Sequence, residues 1–228
     1  MAEIFDFLFA QYKEYSTLHI VLEAIATVFA VFSVVYSWKN NILVYPTGII
    51  STGIFVYMML QWNLYGDMII NAYYFFMSIY GWILWSKKDS TNHDLLKISS
   101  TNSKDGVNSV IIFTASVIGI SAVYIYFDKF TYWWAYVDTF ITGLFFVGMW
   151  LMAKRKIENW LFLIAGDIIA IPLFFLKGYT LTSILNIVLT IIAIYGYLSW
   201  KKTLQHENHL SSLQSTGTDL TEEQFQKN

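Results

Sequence analysis

Asp67, Asn71, Tyr74, Ser78, Gly81, Trp82 and Trp85 follow one another at short, helix-like spacings. On a helix that turns about 100° per residue they share roughly one third of the circumference. A second stripe, Thr182, Asn186, Thr190, Ala193, Tyr197 and Trp200, has the same layout. Amide, phenol, hydroxyl and indole groups on one face suit a neutral polar ligand with an aromatic ring. The ring stacks, and the amides and hydroxyls bond its polar edges. The competing use of such groups is to glue helices together. Trp85 and Trp200 are each followed by a lysine pair within three residues, so an interfacial aromatic belt is expected for them. A pocket is expected for Asn71 and Tyr74.

The candidate ligand-binding residues are Asn71, Tyr74, Ser78, Trp82, Gln61, Trp160, Asp167, Asn186, Thr190 and Tyr197. Asp167 falls near the middle of an apolar run, where an ionisable group is costly and marks a functional position by default. No Lys or Arg inside an apolar run can pair with it. A bond to Asn or Thr hydrogens, a water-filled cavity or a cationic ligand would each satisfy it. Glu23 and Asp138 are shallower and open to solvation or to a neighbouring helix. Pro46, Gly48 and Pro172 are the hinge candidates, because proline removes a helical hydrogen bond.

Other chemistries find little support. Cysteine is absent, which removes disulfides, thiol catalysis and thiolate metal sites. His19 lies at the edge of an apolar run, and His93, His206 and His209 lie in polar segments, so no metal or Ser-His cluster forms within the runs. A seven-helix photoreceptor would need a lysine in the last run, and residues 180–200 have none. There is no phosphate-binding Gly-rich loop, and no basic stripe that would bind nucleic acid. No enzyme activity and no cofactor are expected.

The elements that must position these groups follow from composition. The chain is 56% hydrophobic and 13% charged, against about 25% charged in soluble domains. Seven runs without Lys or Arg, at 18–37, 44–62, 67–85, 108–127, 133–152, 160–176 and 180–200, are long enough for membrane helices. None shows the strict alternation of a barrel strand. The first 17 residues lack a basic region, so the first run reads as a retained helix. Seven spans put Lys39, Lys87, Lys88, Lys97, Lys104, Lys154, Arg155, Lys156, Lys201, Lys202 and Lys227 on one side. They put Lys13, Lys129 and Lys177 on the other, 11 against 3. The positive-inside rule then predicts an outer N-terminus and a cytoplasmic C-terminus.

The chain also repeats itself. "INAYYFFMSIYGWILWSKK" at 70–88 matches "LNIVLTIIAIYGYLSWKK" at 185–202, with Asn71 on Asn186, Gly81 on Gly196 and Trp85 on Trp200, each 115 residues apart. Glu23 and Thr27 fall on Asp138 and Thr142 at the same offset. Asn41 and Gly48 fall on Asn159 and Gly166 at an offset of 118, which predicts a three-residue gap. Spans 1–3 and 5–7 therefore read as copies. Span 4 has none and restores the orientation of the second copy, so the halves run parallel. The expected fold is an all-α membrane protein of seven transmembrane helices in a 3+1+3 plan. Its parts are an extracytoplasmic segment 1–17, a bundle 18–85, a cytoplasmic loop 86–107, a linker helix 108–127, a bundle 133–200 and a polar, disordered cytoplasmic tail 201–228.

"YPTGIISTGIFVYMMLQWNLYGDMIINAYYFFMSIYGWILW", with "KRKIENWLFLIAGD" and "KGYTLTSILN", resembles PnuC-type vitamin transporters over about residues 20–202. The resemblance implies a SWEET-like pair of parallel bundles and a homotrimer in the bacterial inner membrane. It implies uptake of an unphosphorylated vitamin, above all nicotinamide riboside, by facilitated diffusion with trapping by a cytoplasmic kinase. Thiamine and riboflavin belong to sister branches. This chain departs from the pattern in two places. The family's W-x-x-W reads Trp160-Leu161-Phe162-Leu163, and its W-P-F-G reads Tyr45-Pro46-Thr47-Gly48. The missing second Trp shifts the expected ligand slightly toward thiamine, whose cation Asp167 or the aromatic faces would receive. A carrier for riboflavin or a small sugar, or a non-transport seven-helix receptor, is the alternative.

Overall fold

The computed structural model describes residues 16–91, 94–128 and 130–226, with side chains apart from 180, 181 and 211–226. Residues 1–15, His93 and the lysines at 13, 129 and 227 lie outside the described residues. Among the described residues there are seven helices and no strand. They are α1 (Thr17–Trp38), α2 (Val44–Gln61), α3 (Tyr65–Trp85), α4 (Ser103–Tyr126), α5 (Trp134–Ala153), α6 (Asn159–Leu176) and α7 (Thr180–Gln226). Each contains a stretch long and apolar enough to cross a membrane.

Local chemistry sets the helix ends. Ser16 caps α1 by accepting from the His19 N–H at 3.4 Å. Asn102 and Asp105 cap α4 reciprocally: the Asp105 N–H reaches Asn102 Oδ1 at 2.9 Å and the Asn102 N–H reaches Asp105 Oδ2 at 3.3 Å. That box starts α4 five residues before its apolar run, where hydropathy saw only polar loop. Helices α1, α2, α5 and α6 each end on a left-handed residue, Asn40 (φ 51), Asn63 (φ 57), Arg155 (φ 51) and Gly178 (φ 83). At each end the next N–H bonds back five residues: Asn41 to Tyr36, Leu64 to Met59, Lys156 to Leu151 and Tyr179 to Phe174, at 2.8–2.9 Å. Asn40 and Arg155 are 115 residues apart, as are Asn63 and Gly178.

The helix ends also correct the second register. Val44 and Asn159 open α2 and α6, and Gln61 and Leu176 close them, both pairs 115 apart. The three-residue gap expected from Gly48 and Gly166 is therefore absent. The two glycines have different partners. A Cβ on Gly48 would meet Ser78 and Ser33, whereas one on Gly166 would meet the Phe145 ring. At the 115 offset the Ser33–Gly48 contact corresponds to Gly148–Leu163, with the small residue moved to the other helix.

Consecutive helices pack within each group, α1–α2–α3 and α5–α6–α7. Helix α4 leans on α5, where Gly143 makes room for the Phe113 ring. The groups meet along two seams, α3 on α5 and α1 on α7. The polar tail is a correction. Helix α7 runs unbroken to Gln226 rather than ending at 200. Lys201, Lys202, Leu204, Gln205 and Glu207 are good helix formers that extend a helix already nucleated.

Candidate functional site

The two ends of the bundle differ. At the end holding the α2–α3, α4–α5 and α6–α7 turns, a cavity of about 950 Å³ opens between the groups. Asn63, Asp67 and Tyr74 come from the first group, Tyr124 from α4, and Trp134, Asp138, Thr142 and Phe145 from α5. Phe174, Lys177, Tyr179 and Thr182 complete it. Lys177 and Asp138 form an ion pair on its wall, both mostly shielded from solvent. The cavity is aromatic-walled with a few charges, the usual make-up of a small-molecule site.

The floor lies near mid-helix. Tyr73 stacks on Phe146 with centroids 3.7 Å apart and donates its hydroxyl to the Phe146 carbonyl at 2.9 Å. Tyr74 meets Phe146 edge-on at 5.8 Å. Phe145 fills the space over Gly166. Asp167 is 5% exposed and within electrostatic reach of Tyr74.

The opposite end is sealed. Tyr45, Trp85, Trp160 and Trp200 are each 1% exposed. Tyr45 packs edge-on against Trp85 at 5.0 Å, Trp160 edge-on against Trp200 at 5.6 Å, and the Trp85 and Trp200 rings meet at 6.0 Å. Two of the tryptophans tie across the seam. Trp85 Nε1 donates to the Ala153 carbonyl at 3.1 Å and Trp200 Nε1 to the Ser37 carbonyl at 3.2 Å. Ser37 Oγ reaches Met152 Sδ at 2.9 Å. The belt expected for Trp85 and Trp200 is thus overturned, because these indoles find buried carbonyls across the seam instead of headgroups.

The α3–α4 connection straps over this seal. The Ser99 N–H donates to the Arg155 carbonyl at 3.1 Å, and the Ile157 N–H to the Ser99 carbonyl at 3.0 Å. The Arg155 guanidinium lies 4.0 Å above the Trp85 ring and donates to Asp94 at 3.0 Å and to the Leu96 carbonyl. Lys154 and Lys156 both pair with buried Asp105. The three cations counted toward a basic cytoplasmic face are therefore held by acids of the same chain.

Lys88, bonded to Asp94, holds its carboxyl below the usual carboxylate range, with Arg155 assisting, against the opposing effect of burial. A depressed folded value contributes stability above the unfolded value of about 3.9, and that stability is lost as pH falls through the folded value. Asp94→Asn should therefore melt below wild type at neutral pH, with the gap closing below about pH 4. Thermal melting from pH 7 to 3 checks this, and a gap as wide at pH 3 as at pH 7 would remove Asp94 from the strap's electrostatics.

Of the ligand-binding candidates, Tyr74 lines the cavity, and Asp167 is outside its lining but within electrostatic reach of Tyr74. Asn71 donates to the Asp67 carbonyl at 3.0 Å and Asn186 to the Thr182 carbonyl at 2.7 Å. Ser78 and Thr190 also bond back within their own helices. Trp160 belongs to the seal, and Tyr197 packs beside it. Gln61 and Trp82 are exposed and do not line the cavity. Pro46 is the third residue of α2, and Pro172 leaves the Ile168 carbonyl without its helical donor. The Asp138–Lys177 pair and the rings of Tyr124, Trp134 and Phe174 went unforeseen. Asp138 had been singled out by its repeat position and Lys177 by its side of the chain, yet nothing in the sequence joins them.

Seven apolar helices around a cavity open at one end and plugged at the other define a multi-pass membrane transporter. The chain belongs to the nicotinamide mononucleotide transporter family, whose model matches residues 20–202. The nicotinamide riboside transporter PnuC of Escherichia coli K12 is 25% identical over 205 residues, 78% of this chain and 84% of the relative. The protein of the same name from Neisseria mucosa is 24% identical over 198 residues, 82% and 74% of the two chains. A crystal structure of the vitamin B3 transporter PnuC superposes with a TM-score of 0.60 at 23% identity, covering 81% of this chain and 82% of that one, and shares the fold. These relatives are named as transporters, in accord with the expectation of no enzyme.

Proposed function

We propose that this protein is a carrier for an unphosphorylated vitamin, nicotinamide riboside in the first place, working by alternating access. The observation that carries the reading is the contrast between the ends. A carrier needs a central site reachable from one side at a time, and here a cavity of about 950 Å³ faces one side while an aromatic plug closes the other. With the N-terminus outside and the C-terminus in the cytoplasm, the cavity faces outward and the seal faces inward.

The rocking units are the two bundles of the 3+1+3 plan, 18–85 and 133–200, with 108–127 as linker. Contacts at the 115 offset support this. Tyr45 fills the space over Gly81 as Trp160 fills that over Gly196, and the left-handed caps recur in step. The α3–α5 and α7–α1 seams correspond under the same offset. Tyr74 and Asp167 are the ligand-facing residues of this conformation. Pro46, Gly48 and Pro172 remain the hinge candidates. Facilitated diffusion, capture by a cytoplasmic kinase, a homotrimer and the bacterial cytoplasmic membrane complete the proposal.

Thiamine is the second reading, motivated by Leu163 in place of a stacking Trp. The position weakens it, since Leu163 packs on Gly148 and not on the cavity. Titration of the purified protein with each vitamin, read by intrinsic Trp fluorescence, separates the two. A micromolar response to nicotinamide riboside, weakened at least ~10-fold in Tyr74→Ala, is expected. A response to thiamine alone would reverse the order, and silence toward both would sink the vitamin reading.

A further inference from the structure

The sealed end holds lysines that no acid of the chain neutralises. Lys154 is the C-cap of α5 and pairs with Asp105 at the start of α4. Lys39 is the C-cap of α1, 115 residues earlier. Asp105 is spent on Lys154 and Lys156. None of the ion pairs among the described residues uses Lys39 or Lys202, and both side chains are exposed.

The fold brings these two lysines to one seam. Trp200 Nε1 of α7 donates to the Ser37 carbonyl of α1 at 3.2 Å. Lys39 follows two residues after Ser37, and Lys202 two residues after Trp200. The Trp38 and Tyr195 rings pack across the same seam with centroids 5.8 Å apart. Lys202, seven residues after Tyr195, returns to that face of α7. Lys201 instead turns over the Tyr197 ring, 5.8 Å from its centroid.

A line of exposed apolar side chains leads away from each lysine. Phe32 and Val28, seven and eleven residues before Lys39, are 50% and 51% exposed. Leu198 and Ile191, four and eleven residues before Lys202, are 47% and 49% exposed. These intervals keep each line on one helix face. Ammonium groups above apolar faces, with aromatic rings at the boundary, match a phospholipid. Its acyl chains lie on the faces and its phosphate meets the ammonium groups. A soluble anion would use the lysines and leave the apolar lines idle.

We propose that the sealed end of the α1–α7 seam binds an anionic phospholipid, whose phosphate is held jointly by Lys39 and Lys202. The headgroup bridges the two groups of helices and so favours the sealed conformation. The inference does not depend on which vitamin is carried.

The test follows thermal unfolding of the delipidated full-length protein in neutral detergent against added phosphatidylglycerol, phosphatidylcholine or inorganic phosphate. Phosphatidylglycerol should raise the melting temperature saturably, and the other two should not. Lys39→Gln and Lys202→Gln should each raise the half-saturating lipid concentration about fivefold, and the double variant roughly 30-fold. Lys87→Gln combined with Lys104→Gln removes the same charge near the strap and should change it by less than about twofold. Lys39→Arg with Lys202→Arg should keep the response, because guanidinium also binds phosphate, and this decides the matter if the Gln variants unfold early. Three results would each overturn the site: no response to phosphatidylglycerol, an equal response to phosphatidylcholine or free phosphate, or an equal loss in the Lys87 and Lys104 control.

Discussion

Gly81→Ala and Gly196→Ala should each destabilise the protein by about 1–3 kcal/mol, the usual cost of overpacking. A Cβ on Gly81 would lie 2.2 Å from the Tyr45 ring, and one on Gly196 would lie 2.5 Å from the Trp160 ring. Both rings are 1% exposed and braced edge-on against Trp85 and Trp200, so neither can swing aside without opening the seal. Gly106 and Gly119 supply the control. A Cβ there meets nothing within 4 Å, so alanine should be neutral or gain up to about 1 kcal/mol of helix stability. Thermal unfolding in detergent reads all four variants. Tyr45→Leu in the Gly81→Ala background should recover part of the loss, since the collision is with that ring. Equal melting of Gly81→Ala and Gly119→Ala would mean the seal is not packed as described.

Arg155→Ala should cost about 3 kcal/mol. The lost terms are a charge-assisted hydrogen bond, worth about 1.5–3 kcal/mol, and a shielded cation–π contact of up to about 2 kcal/mol. They overlap and do not sum. The side chain is 4% exposed and joins Trp85 of the first bundle to Asp94 and Leu96 of the strap. Arg155→Lys should rescue little, because an ammonium cannot lie flat on the indole while donating to two oxygens. The backbone supplies a further check. Arg155 holds φ at 51°, a left-handed position that costs a side-chain-bearing residue about 1–2 kcal/mol. Arg155→Gly should therefore melt about 1 kcal/mol above Arg155→Ala. Limited trypsin digestion should also quicken at Lys87, Lys88 and Lys97 in both variants, as the strap loosens. Wild-type melting of Arg155→Ala would remove the strap as a stabilising element.

The number of the helices among the described residues was legible in the sequence, because a membrane helix must be an apolar run of fixed minimum length. Boundaries moved where short-range hydrogen bonding outweighs hydropathy, as in the Asn102–Asp105 box that starts α4 early. The 115-residue correspondence of Gly81 with Gly196 was also legible, since both are special positions. Gly81 and Gly196 answer to large rings, and their spacing matched. The 118 register failed at Gly48 and Gly166 because a small residue on one helix can be exchanged for a small residue on its neighbour. Ser33 with Gly48 and Gly148 with Leu163 fill the same kind of contact in opposite ways, so residue identity misled where volume was conserved.

The candidate site was legible only in part. Sequence by itself determined which residues share a helix face, as it did for the stripe from Asp67 to Trp85, because helical geometry fixes angles within one element. It also determined that Asp167 is deep, because depth follows from position along an apolar run. Tertiary structure alone decided what each face meets. A soluble helix shows its inner side by contrast with polar residues, but in lipid the outer side is apolar too and the contrast vanishes. Hence one stripe was split, with Tyr74 at the cavity, Trp85 in the seal and Trp82 facing out. Hence also Lys177 found Asp138, 39 residues away, through a packing that no spacing encodes.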